Sequence, residues 1–257
     1  MLYENDFFLQ QRAVIPYARD YAHGEQEPMH RHQCAQLVHI LTGVVTVETR
    51  QGCWVAPPGR GVWLPAKTDH QLTFTGAVAA RTLFIDPLAR ADLPARCQVV
   101  QVSPLLRELI NAALTITEAE LAGTRAQRVI ELILDEIRTL PMLPLHLPQP
   151  REPMMLELSR RIQRQPGALW ELARTAVELN MSSRTLARRF QAETGLRFSD
   201  WVRRARLLAA LDYLAQGKPV TQVALELGYD NPSAFSAMFR RTLGVAPSDY
   251  FGGQGGA

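Results

Sequence analysis

The chain has almost no lysine. Only Lys67 and Lys218 occur in 257 residues, so nearly all of its 28 basic side chains are arginine. Its positive charge therefore sits on planar guanidinium groups, which fork onto phosphates and base edges as an ammonium cannot. Cysteine is scarce too: Cys34, Cys53 and Cys97 are odd in number and form no Cys-x-x-Cys. That argues against a disulfide frame and for reduced thiols in a cytosolic protein. No apolar run approaches the roughly 20 residues a membrane helix needs. The N-terminus, with Glu4, Asp6 and Arg12 around Phe7-Phe8-Leu9, lacks a signal-peptide layout. A soluble cytoplasmic protein with no membrane partner is expected. Gly-x-Ser-x-Gly, His-Glu-x-x-His and P-loop signatures are also missing, and Gly59-x-Gly61 lacks the third glycine of a dinucleotide loop.

What is present is unevenly distributed. The length predicts one or two domains, with enough apolar content for true cores. The net charge of +3 hides a split: residues 151–257 carry 15 basic against 10 acidic side chains, residues 1–150 carry 13 against 15. The basic half is also the half with an internal repeat, as nucleic-acid binding would require.

That repeat runs from Ala176 to Tyr250. One copy reads Ala176, Asn180, Leu186, Phe190, Gly195, then Phe198-Ser199-Asp200-Trp201; the other reads Ala224, Gly228, Phe235, Phe239, Gly244, then Pro247-Ser248-Asp249-Tyr250. Each has a small residue where two helices approach, and then a turn residue suited to left-handed backbone. A cap follows, Ser182 or Asn231 with Pro232 behind it, and a glycine stops the new helix. Two short helices joined at a tight turn form a helix-turn-helix, whose second helix can enter a DNA major groove. With Leu186 and Phe190 inward, Ser183, Arg184, Arg188 and Gln191 are left for DNA. With Phe235 and Phe239 inward, Ser233, Ala237 and Arg240 face out and Ser236 lies at the flank. Arginine can fork onto guanine or hold phosphate, and glutamine can pair with adenine.

Thr185-Leu186-Ala187-Arg188-Arg189-Phe190, Glu193-Thr194-Gly195, Val223-Ala224-Leu225-Glu226-Leu227-Gly228-Tyr229 and Gly244-Val245-Ala246-Pro247-Ser248-Asp249-Tyr250 together resemble the AraC/XylS family of transcription regulators. The resemblance covers roughly the last hundred residues and implies two reading helices on adjacent major-groove turns of double-stranded DNA. It also implies a homodimer, contact with RNA polymerase, and activation or repression of a neighbouring transporter or metabolic gene. Ala237 departs from the pattern, standing where many members place a base-reading arginine. The second helix is therefore expected to position more than to specify.

Residues 13 to about 100 alternate short β-rich runs with Gly and Pro: 37–41, 44–49, 61–64, 71–74 and 80–85 read as strands of a sandwich or barrel. Five of the six histidines fall between His23 and His70. His30 and His32, two apart, share one side of a strand. The spacing Gly24-x5-His30-x-His32-x3-Gln36-x6-Gly43, then Gly59-x5-Pro65-x4-His70, resembles the two cupin motifs. There the pattern implies a metal on three histidines and a glutamate. Here Gln36 replaces the glutamate and Lys67 replaces a usual glycine. Three readings stay open for His30, His32, Gln36 and His70: a divalent transition metal, an organic effector held by hydrogen bonds, or a structural polar cluster. Trp54 and Trp63 are candidates to line the cavity or to fill the core. A cupin enzyme would need an acid or base near the metal, and Glu48 and Asp69 are the obvious acids nearby. A barrel tethered to a DNA reader is expected to sense rather than to turn over substrate.

Ser103-Pro104 caps a helix, and a second amphipathic helix runs from about Thr124 to Leu140 with Val129, Ile133, Ile137 and Leu140 in one stripe. These helices either cover the barrel or pair two subunits. Pro141, Pro144, Pro148, Pro150 and Pro153 predict a stiff linker with neither helix nor sheet ladder. Residues 199–215 predict a helix apolar almost all round, bridging two lobes and holding the reading helices about 34 Å apart. The expected architecture is α+β and multidomain. It comprises a cupin-like effector barrel over 1–100, a helical dimerisation region over 101–140, a linker over 141–152 and a double helix-turn-helix over 153–251.

Overall fold

The computed structural model describes residues 12–252; the stretch with Glu4, Asp6 and Phe7-Phe8-Leu9 lies outside the described residues. Two compact units result, one of residues up to Thr49 with Trp54–Pro144, the other of Arg50–Cys53 with Leu145 onward.

The first unit is β-rich. Strands β1 (Val14–Tyr21), β2 (Gln26–His30), β3 (Ala35–Thr49), β4 (Gly52–Ala56), β5 (Arg60–Leu64), β6 (His70–Ile85) and β7 (Gln98–Gln101) come first. Helices α1 (Pro104–Leu114) and α2 (Thr124–Arg138) and strand β8 (Met142–Leu143) follow. The sheet order is β1-β6-β3-β5-β7-β8, with β2 also on β6. The expected strands 37–41 and 44–49 are one strand, as are 71–74 and 80–85. Gly43 makes a bulge instead of a turn: it has φ +69°, and the β3–β6 register shifts on either side of Thr42. A Cβ there would lie 2.6 Å from Val78 Cγ2, so the kink needs glycine.

Side-chain alternation separates the two faces of this sheet. Ala35, Leu37, Leu83 and Ile85 point to the face covered by α1 and α2, where Leu106, Ile110, Ile133 and Ile137 complete the core. Each such buried leucine or isoleucine contributes about 1.5–3 kcal/mol. Helix α1 begins as its capping signal predicts: Ser103 Oγ accepts from Leu106 N at 3.0 Å, with Pro104 behind it. Their apolar stripes cover their own chain's sheet. Trp63 also belongs to this core, donating Nε1–H to the Pro94 carbonyl at 2.8 Å, and so is not a cavity residue.

The proline-rich stretch behaves differently from a bare linker. Met142 and Leu143 pair with Val100 and Val99, and Gln101 N donates to the Pro141 carbonyl at 3.0 Å. Proline lacks a donor but keeps its acceptor, and at the ends of a two-residue edge strand only the acceptor is needed.

In the second unit a short strand β9 (His146–Pro148) precedes α3 (Pro153–Arg164), α4 (Leu172–Glu178), α5 (Ser183–Thr194), α6 (Phe198–Ala215), α7 (Val220–Glu226), α8 (Pro232–Leu243) and α9 (Pro247–Gly252). Trp201 Nε1 donates to the Pro148 carbonyl at 2.9 Å and Arg204 to that of His146 at 3.2 Å, which ties β9 to α6. Helix α6 buries Trp201, Val202, Leu207, Leu208, Leu211 and Leu214, apolar on nearly every side as the sequence predicts. On one lobe Phe190 meets Trp201 edge-on at 5.5 Å; on the other Phe239 meets Tyr250 at 5.5 Å.

Candidate functional site

The two turns of the repeat are built by the same hydrogen bonds. In the first, Asn180 N donates to Val177 O and Met181 N to Ala176 O; in the second, Gly228 N donates to Leu225 O and Tyr229 N to Ala224 O, each at 3.0 Å. Each is a Schellman closure, with Asn180 at φ 52° and Gly228 at φ 73° in the left-handed position. The next helices start on matching caps. Ser182 Oγ accepts from Thr185 N at 3.1 Å, and Asn231 Oδ1 accepts from Ala234 N at 2.8 Å. Gly228 has a second task that local pattern does not show. A Cβ on it would meet the Gly167 carbonyl oxygen at 2.4 Å, so the loop after α3 lies directly on the second turn.

Helical periodicity then sorts the side chains. Leu186, Phe190, Phe235 and Phe239 are fully buried. Arg184, Arg188 and Gln191 on α5 and Ser233, Ala237 and Arg240 on α8 are exposed, with Ser183 and Ser236 half-buried at the flanks. Ser233, Ser236, Ala237 and Arg240, with Pro232 and Arg241, line a shallow depression on α8. Neither Arg184, Arg188 nor Arg240 has an ion-pair partner among the described residues. Arg189, by contrast, is turned back onto Glu152, with Nε 3.1 Å from Oε2.

In the first unit the histidines divide. His30, His32 and His70 converge, with one ring nitrogen of each inside a 4.8 Å span and Nε2 of His30 3.1 Å from Nε2 of His32. A carbonyl can only accept, so His30 Nδ1–H donates to Pro28 O at 2.7 Å and His70 Nδ1–H to Thr68 O at 2.8 Å. Both rings therefore present a bare Nε2 to the cluster. His70 Nε2 and Gln36 Oε1 are buried and have no hydrogen-bond partner among the described residues. Burial first, and the neighbouring imidazoles next, push His32 down to about 4; burial does the same for His70. Gln36 lies between Ala35 and Leu37, so it faces away from the helices. It pairs with Phe84, whose ring His32 meets at 5.2 Å. His39 lies on the opposite, helix-covered face, and His23 Nδ1 accepts from Gly76 N at 3.1 Å; neither joins the cluster. Lys67 stands where the motif has glycine and takes glycine's conformation, φ 61°, donating its N–H to His32 O at 2.8 Å.

The acids differ from those expected. Glu48 is exposed and Asp69 lies 4.0 Å from Arg31. The carboxylate beside the cluster is Glu27, whose Oε2 lies 4.0 Å from His30 Nε2. Three residues apart on a regular strand they would face opposite sides. A bulge between them puts both on the side of Leu72 and His70. Pro28 inside the strand is the signal that could have shown it.

Residues 13–137 match the family description "AraC-like ligand binding domain", and residues 175–252 match "Helix-turn-helix domain". The chain is 34% identical over 223 residues to the HTH-type transcriptional regulator NimR of Escherichia coli (strain K12), covering 87% of this chain and 81% of that one. It is 28% identical over 190 residues to a putative AraC-like transcription regulator of Streptomyces antibioticus, 69% and 61% of the two chains. The HTH-type transcriptional regulator VirS of Mycobacterium tuberculosis (strain ATCC 25618 / H37Rv) is 44% identical over 84 residues, 32% of this chain and 24% of that one.

Proposed function

The chain belongs to the AraC-like family of DNA-binding transcription regulators and is not an enzyme, and from that premise we propose that its β-rich unit senses a small effector and thereby controls promoter occupancy. The observation that carries the sensing reading is the convergence of His30, His32 and His70, with the buried Nε2 of His70 left without a hydrogen-bond partner among the described residues. A buried polar atom without a partner costs about 1–3 kcal/mol, which a bound ligand would recover.

On the DNA side, α5 reads bases through Arg184, Arg188 and Gln191, with Ser183 at its flank. Helix α8, with Ala237 at its centre, holds phosphates through Ser233, Ser236 and Arg240. Two protomers bind tandem half-sites, pairing through the apolar side chains that α1 and α2 leave exposed, Leu105 at 51% and Leu132 at 45%. The target is the region shared with a neighbouring transporter or metabolic gene. The protein works in the cytoplasm, where repression or recruitment of RNA polymerase follows from where the dimer sits.

Footprinting of the full-length protein on the DNA upstream of its own and the adjacent gene tests the first half. Protection in stretches one helical turn apart is expected, and no protection at low salt would overturn it. For the second half, an effector must shift DNA affinity by the factor by which DNA shifts effector affinity. Constants that stay flat with Zn(II), Ni(II) and a panel of small organic acids would reduce the β-rich unit to an assembly module.

A further inference from the structure

Three imidazoles can hold a divalent ion by themselves, and Gln36, being neutral, adds no charge to offset that of the ion. A carboxylate beside them would offset that charge at a site where His70 is buried and His30 and His32 are half-buried. The sheet brings a carboxylate from another strand. The bulge after Glu27 turns its side chain to the face of His30 and His70, with Oε2 4.0 Å from His30 Nε2. Its other oxygen, Oε1, accepts from Tyr21 OH at 3.0 Å and lies 3.5 Å from Arg19. Tyr21 is in turn stacked on Phe74, with ring centroids 3.6 Å apart. Oε1 is thus held by fixed groups while Oε2 is left 4.0 Å from His30 Nε2, the arrangement by which outer residues orient a ligating carboxylate.

We propose that His30, His32 and His70 hold one divalent transition-metal ion and that Glu27, not Gln36, is its carboxylate ligand. The inference rests on the reading of this unit as the sensing module and names what it senses. The donors fit. Metal–nitrogen bonds of about 2.0–2.1 Å in a tetrahedron put ligand atoms roughly 3.4 Å apart. The His30 and His32 nitrogens are already at 3.1 Å, and the whole histidine set lies within 4.8 Å. The Nδ1 groups of His30 and His70 are fixed on backbone carbonyls, so each ring offers its Nε2 lone pair without rearrangement. His32 needs only to carry its proton on Nδ1. Imidazole with one carboxylate suits Zn(II), Ni(II), Co(II) or Fe(II).

The test uses full-length, chelator-treated protein titrated with Co(II), followed by its visible absorption, with Zn(II) as competitor. One ion per chain is expected, and His70→Ala should abolish it. Glu27→Gln keeps an acceptor for Tyr21 but removes the charge. It should weaken Co(II) binding by at least the roughly 10–100-fold that losing an outer-shell partner costs, and should change the visible bands. Gln36→Leu should leave affinity within about twofold and the bands unchanged. If Glu27→Gln fails to fold, Glu27→Asp, charged but too short, should give the same weakening and spectral change. No binding by the wild-type protein, or a larger loss from Gln36→Leu than from Glu27→Gln, overturns the proposal. Binding with promoter affinity unmoved by Co(II), Zn(II) and the organic acids alike would instead sink the sensing reading and leave the site. Promoter affinity shifted by an organic acid, with no metal bound, would do the reverse.

Discussion

Arg188 and Arg189 are adjacent on α5 and have different tasks. Arg189 closes on Glu152, whereas Arg188 is exposed and has no ion-pair partner among the described residues. Arg188→Ala should cost about 1–3 kcal/mol in binding the cognate promoter, with little change in melting temperature and a relaxed preference at one base pair. Anisotropy titrations on cognate and mutated sites measure both. Arg189→Ala should lower the stability of the second unit by up to about 1 kcal/mol and leave base preference intact. His39 gives an acid limit to the first unit. Burial, with Arg107 and Arg81 adding to it, pushes its pKa down from 6.5 to about 4. Between those values the unfolded chain binds more protons than the folded one. Stability is therefore flat above pH 6.5 and falls as pH drops toward 4, by about 3 kcal/mol for a shift of this size. His32 and His70 act in the same direction. Thermal unfolding followed across pH 4–7 should show the loss, and His39→Leu should flatten part of it. At this scale the outward residues of α5 and α8 were legible, because helix periodicity alone assigns them. Glu27 was not, because its facing depends on a one-residue bulge that alternation hides.

Among the elements, helices were more legible than strands. Ser103, Ser182, Asn231 and the glycines after α5 and α8 announce their helices through chemistry confined to a few neighbours. A glycine inside β-rich sequence is ambiguous between a turn and a bulge, and at Gly43 only the packing of Val78 decides. The same limit hid the role of Gly167: local sequence marks it as the end of α3, and only the fold shows the backbone of α7's turn lying on it. Gly228→Ala combines a left-handed backbone with a steric clash. It should cost about 2 kcal/mol or more, well above the roughly 1 kcal/mol of left-handed strain alone. Asn180→Ala, at the matching turn, should cost only about 1 kcal/mol. Chemical denaturation of the two variants compares them directly. Helix α8 should also behave differently from α5 on DNA. Arg240→Ala should weaken binding to all sequences alike and reduce the slope of log affinity against log salt by about one, as loss of a phosphate contact does.

At the scale of the whole molecule, the split charge and the doubled motif were enough to place the DNA reader and to separate it from a β-rich partner. The bare-linker expectation failed because prolines at 141–148 keep their carbonyls, and a neighbouring strand and helix use those acceptors. If pairing runs through α1 and α2, Leu132→Glu should leave the melting temperature unchanged, abolish self-association in sedimentation, and remove cooperative occupancy of tandem sites. One contact already described constrains how such a regulator can be controlled. The loop ahead of the first motif is locked to the turn of the second, backbone against backbone at Gly167 and Gly228, and Arg206 of α6 grips the same loop through the carbonyls of Pro166 and Ala168 at 2.9 and 3.1 Å. The two heads thus form a gauge of fixed span. A signal acting on so braced a pair is expected to change where along the chromosome it is set down, not the width of the gauge.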